Sequence, residues 1–89
     1  EKEFSAYNFE HANTDNLFKI FDMLEKESQS LLGKQLSLPA YDQCLKASHV
    51  FNILDARGVI SVAQRAEYIS RIREITKSVG EIWLKSQTQ

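Results

Sequence analysis

The sequence predicts an all-α fold: a three-helix, up-down-up bundle with an irregular N-terminal lead-in. Apolar residues recur at three- and four-residue spacing in three separate stretches. A single Pro and three Gly interrupt 89 residues. Capping and breaking residues stand between the stretches, at Asn13, Gly33, Pro39, Gly58 and Ser61. The length suits one domain, and 43% apolar with 26% charged residues sets the chain apart from disordered sequences.

Residues 1–13 show no helical period and are read as a linker, with 14–89 as the bundle domain. Phe4, Tyr7 and Phe9 stand in a polar run, so their rings are expected to pack on a neighbour or to serve as a recognition peptide. The first helix begins near Asn13 to Asp15, whose side chains cap free backbone N–H groups. Leu17, Ile20, Phe21, Leu24, Leu31 and Leu32 form its stripe, with Ser28 as a polar member. Gly33 is expected to end it in a left-handed C-cap.

Pro39 fits the first turn of the second helix, with Ser37 or Leu38 as the cap position. Tyr41, Cys44, Leu45, Ser48, Phe51 and Leu54 follow as its stripe, and Gly58 closes it. The third helix opens on the Ser61/Gln64 capping-box pattern. Its stripe is Tyr68, Ile69, Ile72, Ile75, Thr76, Val79, Ile82 and Trp83. Glu67–Arg71 and Glu81–Lys85 have the spacing of ion pairs along one helix. Gly80 is the one local weakness in this helix. Trp83 is expected in the core, with an interface anchor as the alternative.

A net charge of −1 excludes a whole-domain attraction to nucleic acid. The charge is uneven: residues 1–30 carry seven acids and three bases, residues 31–89 five acids and eight bases. Arg65, Arg71, Arg73 and Lys77, with Arg57 before them, form a strip that suits a phosphate backbone or an acidic protein surface. Interleaved Glu67, Glu74 and Glu81 favour a solvated face instead. Between the second and third helices, Asp55, Arg57 and Ser61 are candidates for a helix-corner network. In it Asp55 accepts an N–H of the next helix start and Arg57 reaches a carbonyl or a carboxylate.

No motif for catalysis is found. His11 and His49 lack further ligands at metal spacing, and Cys44 with His49 lacks the third orienting group of a nucleophilic site. The three Gly stand alone, so no phosphate-binding loop is formed. The lone cysteine excludes an intrachain disulfide. No run reaches the roughly 20 apolar residues of a membrane span, and no leader peptide is read at the start.

One run is specific: Phe51-Asn52-Ile53-Leu54-Asp55-Ala56-Arg57-Gly58-Val59-Ile60-Ser61-Val62. With Leu38-Pro39-Ala40-Tyr41, Tyr68-Ile69-Ser70-Arg71-Ile72-Arg73 and Tyr7-Asn8-Phe9-Glu10, it resembles the C-terminal region of the α subunit of bacterial two-subunit glycine–tRNA ligase. The short connection from Gly33 to Leu36 departs from the longer forms in that family. The resemblance implies a class II aminoacyl-tRNA synthetase that activates glycine with ATP and Mg²⁺ and transfers it to tRNA. It implies an α2β2 assembly with a β subunit and a second α subunit, and a cytoplasmic location. The motifs of that chemistry precede this region, so no catalytic, cofactor-binding or metal residue transfers to this numbering. The chain is then a non-catalytic bracing and docking domain for the β subunit or tRNA, separated from its catalytic domain. The candidate contacts are Arg57, Arg65, Arg71, Arg73, Lys77 and Trp83. A free-standing helical adaptor is the alternative.

Overall fold

The computed structural model describes residues 1–88, and for Phe9 the backbone alone. The Phe9 ring and the last residue of the expected 14–89 domain lie outside the described part. Within it the chain is all-helical: α1 spans Lys2–Ala6 and runs on as a π-turn over Tyr7–His11, α2 spans Thr14–Gly33, α3 Ser37–Ala56 and α4 Val62–Gln87.

The lead-in is therefore helical, contrary to the irregular segment expected, and the described residues hold four helices rather than three. The reason is local. Glu1 occupies the N-cap position of α1 without a side-chain cap bond, and Glu1 and Glu3 lie where the helix dipole favours acids. Phe4 and Tyr7 are three residues apart and share a face. Periodicity missed the segment because that face meets no core: Phe4 remains 76% exposed.

Ala12 and Asn13 break the path, Ala12 with an extended ψ of 134°. Asn13 then caps α2 as expected, its Oδ1 accepting the Asn16 N–H at 3.0 Å. The end of α2 departs from expectation. Gly33 is the last helical residue, and Gln35 takes the left-handed position at φ 61°. The Leu36 N–H reaches back to the Leu31 carbonyl and the Gln35 N–H to that of Leu32, the paired bonds of a Schellman ending. The end of α3 repeats this with glycine. Gly58 has φ 71°, its N–H donates to the Asp55 carbonyl and the Val59 N–H to that of Leu54.

Leu36, not Ser37 or Leu38, occupies the N-cap of α3, and no side chain caps it. Pro39 still lies in the first turn, where its missing N–H goes unneeded. At the start of α4 the capping box is complete. Gln64 N–H donates to Ser61 Oγ, and the Ser61 N–H to Gln64 Oε1 at 2.9 Å.

Side-chain pairings fix the up-down-up topology of the last three helices. Ser28 on α2 meets Ala40 on α3, Cys44 on α3 meets Ile72 on α4, and Asp55 at the end of α3 meets Arg65 at the start of α4. The core has two parts. Leu17, Phe21, Ala47, Val50, Phe51, Ile53 and Leu54 fill the end nearest the lead-in, and Ala40, Cys44, Ile75 and Val79 fill the other. Burying a residue such as Phe21 or Leu54 contributes about 1.5–3 kcal/mol. In the second part α3 contributes the small Ala40 and Cys44, against which Leu31 and Leu32 of α2 and Ile72, Ile75 and Val79 of α4 pack. Ser28 fits this close approach: it is fully buried, and its hydroxyl donates to the Ala40 carbonyl at 2.8 Å.

Candidate docking surface

The basic residues of α4 do not share one environment. Arg71 points inward and closes the bundle. Its Nε donates to Glu25 Oε2 at 2.9 Å and its Nη2 to the other oxygen of the same carboxylate, a two-pronged grip between α4 and α2. Nη2 also reaches Asp22 Oδ1 at 2.9 Å. The guanidinium lies 4.9 Å from the Phe21 ring centre and 4.8 Å from that of Tyr68, so aromatic faces share in holding the charge. The hydrogen bonds from Arg71 to Glu25, ahead of those to Asp22, hold the guanidinium proton still more firmly than usual, against the opposing effect of burial. The expected Glu67–Arg71 pair along α4 is absent among the described residues, because the acids of α2 take its place.

Tyr68 is the hub beneath this clasp. Its ring meets Phe21 edge-on at 4.7 Å, stacks on Phe51 at 5.8 Å and lies 6.2 Å from Phe18. These spacings suit aromatic pairs. Desolvation by this cluster raises the Tyr68 hydroxyl above its ordinary value, and the Arg71 charge works against the shift.

Arg65 donates to Asp55 Oδ2 at 2.6 Å, bridging the corner between α3 and α4. Arg57 turns the other way, and its Nη1 donates to the Ala12 carbonyl at 2.7 Å. The expected corner network is thus three separate ties. Asp55 binds Arg65 rather than a backbone N–H, Arg57 binds the Ala12 carbonyl, and Ser61 caps α4. Arg73 and Lys77 are exposed and make no ion pair among the described residues. The basic strip is broken up because three of its members have intramolecular partners.

Trp83 is 43% exposed rather than core, and Leu84 beside it is also exposed. The buried residues of α4 are Ile75 and Val79, and Trp83 follows them at four-residue spacing without being buried. Cys44 and His49 do not combine. The thiol is buried with Sγ 3.9 Å from the Ile72 carbonyl, whereas His49 is exposed. Burial pushes the thiol above its ordinary value. Among the described residues no three His, Cys, Asp or Glu side chains gather as a metal site. No described helix is long and apolar enough to cross a membrane.

An apolar groove lies elsewhere, between α2 and α3. Ile20 and Leu24 of α2, with Leu45 and Val50 of α3, line an open groove of about 490 Å³ rimmed by Asp42, Lys46 and His49. No residue of α4 lines it. Leu45 is 50% exposed, and Ile20 and Tyr41 are exposed to a similar degree. The expected stripes had placed all three in the core. The core-facing side of α3 is instead built from Ala40, Cys44, Ala47, Phe51 and Leu54, which leaves Tyr41 and Leu45 turned outward. The excess of apolar positions on α3 beyond one helical face was the available signal, since a helix apolar on more than one side has more than one neighbour.

A comparison with known protein families gives one further finding. The family described as glycyl-tRNA synthetase alpha subunit matches residues 1–88.

Proposed function

The chain belongs to the glycyl-tRNA synthetase alpha subunit family, and from that premise we propose that it is a non-catalytic bracing and docking domain of the enzyme. The full enzyme is a tRNA ligase. In this reading it is a class II synthetase that consumes ATP with Mg²⁺, assembles as α2β2 and works in the cytoplasm. Residues 1–13 lead in from a catalytic domain, and 14–89 form the docking unit.

The observation that carries the reading is the groove between α2 and α3. Ile20 and Leu45 are exposed in it, Leu24 is half-buried and Val50 buried, and Asp42, Lys46 and His49 of α3 line it too. Such a surface on an otherwise well-packed bundle suits a protein partner, which gains by covering it. The partner in this reading is the β subunit, with Trp83 and Leu84 as a second apolar contact near the end of α4. Tight internal ties at Arg71, Arg65 and Arg57 make the bundle a rigid brace for that surface.

Direct tRNA contact has less support, because Arg65 and Arg71 are engaged by Asp55, Asp22 and Glu25. That leaves Arg73 and Lys77 for phosphates, with Glu74 between them. No ATP step is placed on these residues, because in this reading the motifs of that chemistry precede this region.

Photo-crosslinking tests the reading. A benzophenone side chain at position 45 is expected to capture the β subunit, while one at exposed Glu67 on α4 is not. Equal yields from both positions would count against the groove. Labelled tRNA titrated at low and high salt checks the other partner, and salt-sensitive binding that Arg73→Ala removes would favour tRNA.

A further inference from the structure

The geometry points to Arg57 as a latch that fixes the angle between the lead-in helix and the bundle. The inference goes beyond the docking reading and does not rest on it. Its observation is a carbonyl with no place in either helix. The π-turn closes when the Ala12 N–H donates to the Tyr7 carbonyl at 2.7 Å, and α2 starts its own ladder with Leu17 N–H on the Asn13 carbonyl. Between these two ladders the Ala12 carbonyl accepts no backbone N–H among the described residues. Ala12 is only 2% exposed, so water does not readily replace the missing partner.

Arg57 supplies it. The guanidinium comes from the C-cap of α3, 45 residues away in sequence, and meets the carbonyl oxygen at 2.7 Å. The donor is itself held. Its backbone N–H bonds to the Ile53 carbonyl at 2.9 Å, and Gly58 follows in the left-handed conformation that turns the chain away. One end of the latch is thus anchored in a helix terminus.

Among the described residues the lead-in has little else to hold it. Ala12 and Asn13 link it to α2, and among those residues its packing partner in the bundle is α3. Phe4 and Tyr7 both face solvent. A short helix with its aromatic face unburied has few contacts to set its direction. The Arg57 bond, placed at the pivot, sets it. Whatever precedes or binds the lead-in is therefore presented to the bundle at a defined angle.

Distance measurement between two spin labels tests this in the chain as it stands. Cysteines replace exposed Ser5 in the lead-in and Ser70 on α4, in a Cys44→Ala background. The parent is expected to give one narrow distribution of distances. Arg57→Met is expected to widen it to about twice that width or more, with the helical circular dichroism of the bundle retained. Should Arg57→Met lose the fold, Arg57→Lys, which keeps the charge without the guanidinium's planar reach, carries the same expectation. An unchanged width in a folded variant would overturn the latch, and so would widening that appears only together with loss of helicity.

Discussion

Arg71 shows how much one side chain decides here. It offers charge to Glu25 and Asp22 and a flat face to Phe21 and Tyr68. The Glu25 carboxylate is 14% exposed, so removing Arg71 strands a largely desolvated charge. Arg71→Ala is expected to destabilise the bundle by about 1.5–3 kcal/mol in urea unfolding. Arg71→Lys should recover less than half of that, because an ammonium lacks the fork that grips both carboxylate oxygens. A loss under about 0.5 kcal/mol, as at a surface pair, would mean the clasp is solvated. The sequence identified Arg71 as basic and helical but assigned it the wrong acid. A neighbour at i−4 is visible in one dimension, whereas Asp22 and Glu25 are 49 and 46 residues distant.

Cys44 and Tyr68 each tie stability to alkaline pH. Burial raises the Cys44 thiol above 9.0 and the Tyr68 hydroxyl above 10.0. In each case the unfolded chain releases its proton at lower pH than the folded one. Between the two values the unfolded state holds fewer protons, so stability falls as pH rises. Below pH 9 the full contribution is present. The urea midpoint should therefore stay flat up to about pH 9 and decline above it, and Cys44→Ala should move the onset toward pH 10.

At the scale of elements, helix ends are where local chemistry and sequence reading agree most closely. Asn13, Ser61 and Gly58 cap or close their helices as their side chains dictate, because the groups they satisfy lie within a few residues. The end of α2 is the exception. A glycine stood at 33, but the left-handed position fell on Gln35, since the Leu31 and Leu32 carbonyls set where the ending closes. Gln35→Gly is expected to stabilise the chain by about 1 kcal/mol, read as a higher melting temperature. Gly58→Ala, at φ 71°, should cost about 1–2 kcal/mol. Equal and small effects at both positions would contradict the assigned backbone. The lead-in escaped sequence reading for the opposite reason. Its helix is one short turn with acids at its start and with Phe4 and Tyr7 exposed, which leaves no long stripe to count.

For the molecule as a whole, the all-α class and the order of the three long helices were legible because amphipathic periods survive in isolation. Which face each apolar side chain takes was not. Tyr41, Leu45 and Ile20 fit a core stripe by spacing, and only the choice of Ala40, Cys44 and Ala47 as the contact side of α3 turns them outward. That choice depends on α2 and α4 pressing on one helix together, a property of the assembled bundle. The groove is its consequence, and so is the docking role proposed for it.

Calorimetric titration of the β subunit with Leu45→Glu tests that role most directly. The substitution places a charge in the centre of the groove at an exposed position, so the helical content and melting temperature of the bundle should hold. Affinity for the β subunit is expected to fall tenfold or more, about 1.4 kcal/mol. A folded Leu45→Glu chain that binds the β subunit as tightly as its parent would contradict the account.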